Sequence, residues 1–431
     1  MKKLFISFLL VLTTIFTLAS CGKSSSAASE PAQASTTTAN PTRLIPSTTG
    51  GVSTTIDTLP TAPSTVTSIP SSSSVIPSTT VGSSALGTSS TATSVPTTIF
   101  TSASCGKSSR DYFTLWNDCD SLTTLINYVE DVTNKNSKNY IPVEDRIATF
   151  DMDGTFIGEL YASYFEYNML EYRVLDDPTY VDKDPSAVEA AQNIRDFVRT
   201  GKALPSGFDM IHAHAAAKAY AGMSVAEFDE YVKEYAKKTP FGFTGMTYAT
   251  SFYKPMLEVF KYLEANDFTY YVVSGSDRFI CRALVESIGI PANRVIGMDV
   301  VLKSSKQGDK DGVSYTMSSD EYLIRTDELI IKNLKTNKVK QIVQEIGKTP
   351  VLSFGNSSGD SAMHNFCKSN EKYKTEVFML IADDTERDHA NLVETAKRKQ
   401  AWEDAHYNII SMLNDFKTIY GDGVTKVDFV F

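Results

Sequence analysis

The chain has 431 residues and a formal net charge of −10, with 42% hydrophobic and 21% charged residues. This acidic balance argues against a general nucleic-acid-binding protein, which needs a basic face. The cysteines have neither the spacing of a zinc site nor the density of a disulfide framework, and a Cys105–Cys119 disulfide is compatible with the spacing without being favoured by it.

The first residues have the parts of a bacterial lipoprotein signal. Lys2 and Lys3 are followed by an apolar stretch over 4–17, which is too short to span a bilayer comfortably, and then by Leu18-Ala19-Ser20-Cys21-Gly22, which resembles a lipobox. We predict a signal peptide over 1–20 and acylation of Cys21, which would anchor the protein to the extracytoplasmic face of the cell membrane. The alternative is an ordinary signal peptide that happens to contain a cysteine.

Residues 21–109 are dominated by Ser, Thr, Pro, Ala and Gly. Such a composition cannot bury enough apolar surface to offset the entropy of ordering, so we predict a disordered tether. A duplication brackets it, because Ala19–Ser25 recurs as Ala103–Ser109. The repeated Gly-Lys-Ser is not a phosphate-binding loop, since the first glycine of that motif is missing and neither copy follows a strand.

From Arg110 onward the predicted elements alternate between strand and helix. A helix over 122–132 precedes a short buried strand over 147–150, and the pattern over 156–253 is helical, with a capping-box signature at Ser224 and Glu227. The later predicted elements are a helix over 254–266, a strand over 269–273, a helix over 278–288, a strand over 295–302 followed by a polar hairpin-like excursion, a helix over 338–346, and strands over 350–354 and 377–381. This alternation predicts an α/β fold with a doubly wound parallel sheet.

The first candidate site residues follow the strand over 147–150 directly. Asp151-Met152-Asp153-Gly154-Thr155 places two carboxylates at the strand's carboxyl end, where doubly wound sheets bind their ligands. One carboxylate can attack phosphorus and form an acyl phosphate, while the other protonates the departing alkoxide and later deprotonates water. An ordinary acidic turn is the alternative, and the polar groups at the other strand ends argue against it.

Three further polar groups stand at later strand ends or helix starts. Ser274-Gly275-Ser276 offers hydroxyl and backbone N–H groups for phosphate oxygens, although Ser-Gly is also a common turn. Lys338 can hold the charge of a transferring phosphoryl group. Its competitors, each expected on a solvated face, are Lys335, Lys340 and Lys348. Gly355-Asn356-Ser357-Ser358-Gly359-Asp360 follows the next predicted strand and carries oxygen ligands that suit Mg²⁺.

In this order the motifs Asp-x-Asp-Gly-Thr, Ser-Gly, Lys and Gly-Asn-x-x-Gly-Asp resemble those of the haloacid-dehalogenase superfamily, and most closely its phosphoserine-phosphatase-like branch. The likeness covers roughly residues 111–415. It implies one hydrolase domain over 110–431 with a Rossmannoid core and an inserted helical cap at about 156–253. Such a cap closes over the site and excludes water.

The resemblance also implies roles for individual residues. Asp151 would be the nucleophile and Asp153 the general acid/base, which favours a phosphatase, since the family's dehalogenases lack an acid at the second position. The phosphate would be held by Ser274 and Lys338, together with Thr155, Gly275 and Ser276. Magnesium would be bound by Asp151, Asp153 (through its main-chain carbonyl), Asn356 and Asp360.

Two functions are compatible with these residues. The first is a Mg²⁺-dependent phosphatase at the cell surface that acts on a small-molecule phosphate ester. The second is a surface binding lipoprotein on the same fold that has lost turnover. Asn356 stands where the family usually has a carboxylate, and Ser358 where an acidic residue is frequent, which favours the second; the intact Asp151 and Asp153 pair favours the first.

The substrate cannot be named from the motifs. The start of the predicted cap is aromatic and acidic, and such a cluster can hold a quaternary ammonium such as choline. We expect core packing instead for this set, which comprises Phe156, Glu159, Tyr161, Tyr164, Phe165, Glu166 and Tyr167. His212 and His214 lie two apart and would point in different directions on a helix, so we do not expect them to form a metal pair.

Overall fold

The structure, a computed structural model, describes residues 107–158 and 161–428. The predicted signal peptide, Cys21, Cys105 and almost all of the predicted tether lie outside these residues. Regular structure begins with a short 3-10 turn, Ser109–Tyr112, which is capped by the side chain of Ser108. No helix in the described ranges is long and apolar enough to cross a membrane.

A seven-stranded sheet forms the centre of the described part, with the strand order β5-β4-β3-β1-β6-β7-β8. The strands are β1 (Ile147–Phe150), β2 (Phe243–Thr244), β3 (Thr269–Asp277), β4 (Val295–Ser304), β5 (Leu323–Ile331), β6 (Leu352–Gly355), β7 (Glu376–Ile381), β8 (Asn408–Ser411) and β9 (Thr425–Lys426). Neighbouring strands of the sheet are parallel except at the edge, where β5 runs antiparallel to β4. The short strands β2 and β9 form a separate antiparallel pair.

Helices follow most strands of the sheet and cover both of its faces. The α-helices are α1 (Asp120–Thr133), α2 (Phe165–Glu171), α3 (Pro185–Thr200), α4 (Phe208–Ala219), α5 (Val225–Tyr235), α6 (Lys254–Ala265), α7 (Arg278–Val285), α8 (Thr336–Glu345), α9 (Ser361–Lys368), α10 (Leu392–Asp404) and α11 (Met412–Asp415). The prediction of a doubly wound α/β fold is therefore confirmed.

Alternation along the strands explains the two covered faces. In β7, Phe378 and Leu380 belong to the main core, which also contains α1, α6 and α7, whereas Val377 and Met379 pack in a second cluster with residues of α9 and α10. Successive side chains of a strand point to opposite faces, so a strand that is apolar throughout must be buried on both sides.

An aromatic row fixes the register of the three central strands. Phe150, Phe354 and Phe378 are paired across β1, β6 and β7. Their rings stack with centroid separations of 4.3 and 5.1 Å. Aromatic pairs add about 0.5–1.5 kcal/mol each beyond the burial of their area. The row places the chain segments that follow β1 and β6 side by side at the carboxyl edge of the sheet.

Helices α2–α5 belong to a segment between β1 and β3, here called the helical insertion (residues 161–253). The capping box predicted at Ser224 and Glu227 is present at the start of α5. The insertion is attached to the edge of the sheet, because the backbone of Arg325 in β5 accepts a hydrogen bond from Gly222 at 2.9 Å and donates one to Met223 at 2.8 Å. The cavity described next lies between the insertion and the carboxyl ends of the strands.

Candidate active site

A small cavity lies at the carboxyl ends of β1, β3 and β6, beneath the helical insertion. Its volume is about 60 Å³, which is room for a few water-sized groups. The residues that line it are Asp151, Asp153, Tyr164, Glu166, Tyr167, Asp209, Gly275, Ser276, Lys332, Leu334, Lys338, Asn356, Ser357 and Asp360. Residues from four separate strand ends and from the insertion therefore converge on one small volume.

Lys338 connects two carboxylates on the floor of the cavity. Its Nζ lies 2.5 Å from Oδ1 of Asp151 and 2.7 Å from Oδ1 of Asp360, and its side chain is 1% exposed. The second oxygen of Asp360 accepts hydrogen bonds from the backbone N–H groups of Asn356 and Ser357 at 3.1 and 2.9 Å. Asp360 therefore holds both the lysine and the loop after β6 in place.

Burial and charge set the protonation of this group. Burial raises the pKa of the Asp151 carboxyl, and the charge of Asp360 raises it further, against the lowering effect of Lys338. Burial also acts to raise the pKa of Asp360, but Lys338 and His364 outweigh it, so that pKa is lowered. The pKa of Lys338 is raised because the two carboxylates outweigh the cost of burying its charge. Of the two carboxylates that contact Lys338, Asp151 is therefore the more easily protonated and Asp360 the more firmly ionised.

Asp153 is held by two hydroxyl groups from the end of β3. Ser274 Oγ and Ser276 Oγ donate to its Oδ2 at 3.2 and 2.8 Å. Its other oxygen, Oδ1, is buried and has no hydrogen-bond partner in the described part of the chain. A buried acceptor without a partner costs about 1–3 kcal/mol, so this oxygen is the one available to exchange a proton with a bound group.

Two further oxygens face one hydroxyl group. Thr155 Oγ1 lies 3.4 Å from Oδ2 of Asp151 and 3.5 Å from Oδ1 of Asn356. A hydroxyl has a single hydrogen, and both distances are at the outer limit of hydrogen bonding. At least one of the two oxygens therefore lacks a good donor, and both are hard ligands of the type that a divalent cation prefers.

The oxygen ligands of this cavity fit Mg²⁺ better than a transition metal. No cluster of three or more His, Cys, Asp or Glu side chains suitable for a metal occurs in the described ranges. An ion here would rely on the Asp151 carboxylate, the Asn356 amide oxygen and a main-chain oxygen. Magnesium is usually bound through one or two carboxylates, substrate phosphate and water, so this sparse oxygen set is compatible with it.

Two glycines allow the loops to approach so closely. Gly154, directly after the Asp153 carboxylate, has φ of +76°, a left-handed conformation that side chains disfavour. At Gly355 an added Cβ would lie 2.7 Å from His364 Nε2 and 2.8 Å from Asp360 Cβ. Glycine at this position therefore lets Asp360 reach back beneath the strand end to Lys338.

The helical insertion supplies the opposite wall of the cavity. Glu166 of α2 is buried and accepts hydrogen bonds from Lys332 Nζ at 2.8 Å and from the backbone N–H of Asp277 at 3.2 Å. Tyr167 donates its hydroxyl to Asp209 Oδ1 at 3.0 Å. Burial raises the pKa of the Tyr164 hydroxyl, and Asp153, Asp151 and Asp209 raise it further. These contacts place both acidic and aromatic groups of the insertion against the carboxylates of the floor.

The structure brings the sequence-predicted site residues together. Asp151, Asp153, Gly275, Ser276, Lys338, Asn356 and Asp360 line the cavity, while Ser274 and Thr155 contact its carboxylates. Of the four candidate lysines, Lys338 is the one in the site. His212 is buried beside Glu166, with 3.6 Å between Nδ1 and Oε1, whereas His214 is exposed.

Sequence reasoning missed part of the insertion wall. Tyr164, Glu166 and Tyr167, for which core packing was expected, line the cavity, and Tyr167 also belongs to the main core. Lys332 and Asp209 were not considered at all. Lys332 follows a strand, β5, that the sequence did not predict, and Asp209 begins a helix with no motif around it.

No protein-family model and no curated protein matches the chain. Several solved structures are similar to the chain at low identity and low TM-score. A conserved functionally unknown protein from Anaerococcus prevotii has a TM-score of 0.41 and 15% identity, over 70% of this chain and 94% of that one. Cytosolic 5′-nucleotidase IIIB, solved with cytidine, has a TM-score of 0.41 and 11% identity, over 70% and 88%.

A phosphoserine phosphohydrolase-like protein from Francisella tularensis has a TM-score of 0.34 and 12% identity, over 62% of this chain and 94% of that one. Hydrolases are thus among the structural neighbours of the chain. At these identities and TM-scores the comparisons carry no argument about its activity, which must rest on the geometry of the site.

Proposed function

We propose that the protein is a Mg²⁺-dependent phosphomonoesterase of the haloacid-dehalogenase superfamily that works through a phosphoryl group on Asp151. The observation that carries the proposal is the pairing of two differently held carboxylates in one small cavity. Asp151 is bound by Lys338 at 2.5 Å, and Asp153 is bound by the hydroxyls of Ser274 and Ser276. Two carboxylates in different environments can take different roles in one reaction.

In the first step a carboxylate oxygen of Asp151 attacks the phosphorus of the ester, and the bond from phosphorus to the alcohol oxygen breaks. Lys338 faces the charge that the phosphoryl oxygens carry, and Ser276 and the backbone at Gly275 line the same volume. The leaving oxygen takes a proton from Asp153, whose Oδ1 has no other described partner. The alcohol then leaves.

In the second step water attacks the phosphorus of the aspartyl phosphate. Asp153 takes a proton from that water, phosphate is released and the Asp151 carboxylate is restored. A magnesium ion on Asp151, the Asp153 main-chain oxygen and Asn356 would supply positive charge to the phosphoryl oxygens. Asp360 would stabilise the ion without binding it directly, because both of its oxygens already have partners in Lys338 and the loop after β6.

The helical insertion would act as the cap of this enzyme. It forms the wall of the cavity opposite the carboxylates. A wall that keeps bulk water from the carboxylates would strengthen electrostatic interactions and protect the acyl phosphate from unassisted hydrolysis. On the sequence alone we further propose a lipid anchor at Cys21 and an extracytoplasmic location; a Cys21→Ser variant that stays in the membrane fraction would refute that anchor.

A phosphatase assay with Mg²⁺ tests the proposed activity. We expect p-nitrophenyl phosphate to be hydrolysed by the protein, and Asp151→Asn to remove this activity while the unfolding transition is retained. Hydrolysis that persists in Asp151→Asn would refute the nucleophile. A protein that binds phosphate and Mg²⁺ but hydrolyses no phosphomonoester would instead be the binding lipoprotein, which Asn356 and Ser358 favour.

A further inference from the structure

The insertion wall of the cavity has a carboxylate without a cation. Asp209 lies in the first turn of α4, and its Oδ1 accepts the hydroxyl hydrogen of Tyr167 at 3.0 Å. Within the described ranges no Lys, Arg or His side chain forms an ion pair with Asp209. The rings of Tyr164 and Tyr167 stand edge to face beside it, with their centroids 5.3 Å apart.

The charges around the cavity do not balance. Five carboxylates line it (Asp151, Asp153, Glu166, Asp209 and Asp360), and the lining cations of the described chain are Lys332 and Lys338. Lys338 is bound to two of these carboxylates and Lys332 to Glu166. A magnesium ion and a phosphate dianion would cancel one another, so their arrival would leave the excess of negative charge in place.

This excess acts on the part of the substrate that faces the insertion. The transferring phosphate has to lie at Asp151 and Lys338, so the alcohol part of the ester extends towards Asp209 and the two tyrosines. A positive charge there would be attracted by the exposed carboxylate of Asp209 and by the electron-rich faces of the rings. A second anion would meet Asp209 and Glu166, and Lys332 is already paired.

The wall at Asp209 is open to solvent on its outer side. Asp209 is exposed and Tyr164 is 37% exposed, so a group that extends from the phosphate can reach both of them. We propose, on the basis of the proposed function, that the substrates are phosphate esters of amino alcohols, with the ammonium group held by Asp209 and the rings of Tyr164 and Tyr167.

A pair of matched esters tests this proposal. Phosphoethanolamine and propyl phosphate have similar size, and the ammonium group of the first is replaced by a methyl group in the second. For the full chain with Mg²⁺ we expect kcat/KM to be about fivefold higher for phosphoethanolamine, in the range that cation contacts at exposed sites provide. Asp209→Asn should remove most of this difference between the two kcat/KM values.

A matched control removes a carboxylate elsewhere on the insertion. Asp182 is exposed and does not line the cavity, so Asp182→Asn should leave the ratio unchanged. Tyr164→Leu should lower the ratio in the same direction as Asp209→Asn, because it removes one aromatic face.

Equal kcat/KM values for the two esters, or a ratio unaffected by Asp209→Asn, would overturn the proposal. Faster hydrolysis of phosphoserine than of phosphoethanolamine would also overturn the proposal, since it would show that the site accepts a substrate carboxylate beside Asp209. Hydrolysis of p-nitrophenyl phosphate distinguishes a wrong substrate class from a wrong proposed function. If p-nitrophenyl phosphate is hydrolysed but phosphoethanolamine is not preferred over propyl phosphate, only the substrate class is wrong. If p-nitrophenyl phosphate is not hydrolysed, the proposed phosphatase function is wrong as well.

Discussion

Asp153 has two carboxylate oxygens in different surroundings. Oδ2 accepts hydrogen bonds from Ser274 and Ser276, while Oδ1 is buried without a described partner. The two serines fix the orientation of the carboxyl group and leave one oxygen to handle the proton. This division explains why a residue two positions from the nucleophile can serve as acid in one step and base in the next.

The role of Asp153 predicts a dependence on the leaving group. Asp153→Asn should lower kcat for an alkyl phosphate by about 10²–10⁴-fold, the usual contribution of general acid–base catalysis. The loss in phosphoryl transfer to Asp151 should be much smaller for p-nitrophenyl phosphate, because nitrophenolate departs without a proton. Single-turnover release of the two alcohols measures this difference. An equal loss for both esters would contradict the proton-donor role.

Asn356 offers an amide oxygen where a carboxylate would carry charge. Its Oδ1 and Asp151 Oδ2 share the Thr155 hydroxyl at 3.5 and 3.4 Å. Asn356→Asp should therefore tighten Mg²⁺ binding in the absence of phosphate, and Asp360→Asn should weaken it by about 10–100-fold, as losses of supporting groups typically do. Calorimetric titration of Mg²⁺ into the three proteins measures both effects. An unchanged affinity in Asn356→Asp would mean that Asn356 is not a ligand.

At the scale of single residues the sequence was informative where a motif follows a strand. Asp151, Asp153 and Asn356 could be placed because the carboxyl ends of parallel strands meet at one edge. Lys338 could not be separated from its neighbours by spacing alone, and the contacts with Asp151 and Asp360 decide between them. Asp209 could not be found, since nothing in the sequence relates the start of α4 to the end of β1.

At the scale of elements, the edge strand β5 connects the sheet to the helical insertion. Its Arg325 is fully buried, with Nη2 2.6 Å from Asp277 Oδ2 and its guanidinium carbon 3.9 Å from the ring centroid of Phe228 in α5. Lys332 at its end is paired with Glu166 of α2. Two buried ion pairs and one pair of backbone hydrogen bonds therefore meet along this strand.

Removing Arg325 should leave the carboxylate of Asp277 buried without a cation. Arg325→Met should lower the free energy of unfolding by about 3–5 kcal/mol, the usual cost of breaking a buried pair. Arg398→Met is the control, because Arg398 and Glu394 form an exposed pair that is worth at most about 1 kcal/mol. Urea unfolding of the three proteins gives the comparison. Similar losses in the free energy of unfolding would show that the buried ion pair stabilises the protein no more than the exposed pair does.

The strand β5 was missed by the sequence prediction for a physical reason. Arg325, Thr326, Asp327 and Glu328 interrupt its apolar residues, and an edge strand that pairs on one side does not need continuous burial. The central strands could be predicted because they are buried on both faces and read as apolar runs. Strand β8 and helices α9 and α10 were also not predicted, and α10 buries only Trp402.

At the scale of the whole molecule, burial of imidazole groups predicts how stability depends on pH. His212 and His364 are completely buried, and burial lowers the pKa of each to about 4. The unfolded chain, with a histidine pKa near 6.5, therefore binds more protons than the folded protein between these values. Stability should fall as the pH falls through this window, by about 2 kcal/mol for each imidazole between pH 7 and pH 5.

The difference between wild type and His364→Gln isolates one of these groups. Burial raises the pKa of Asp388 to about 6, which has the opposite effect on stability, so the slope of the wild type alone is not diagnostic. His364→Gln should lose about 2 kcal/mol less than the wild type when the pH is lowered from 7 to 5. Urea unfolding at both pH values measures the loss. Identical losses in the two proteins would show that His364 does not titrate in this way.

The proposed reaction passes through a phosphoryl group on Asp151, and this intermediate can be trapped. In Asp153→Asn, p-nitrophenyl phosphate can still phosphorylate Asp151, but water is no longer activated, so the aspartyl phosphate should accumulate. After an acid quench, mass spectrometry of the peptides should find one added phosphoryl group on the peptide that contains Asp151, and none in the Asp151→Asn, Asp153→Asn double variant. Release of nitrophenol by Asp153→Asn over a full turnover without any phosphoryl group on that peptide would contradict the account.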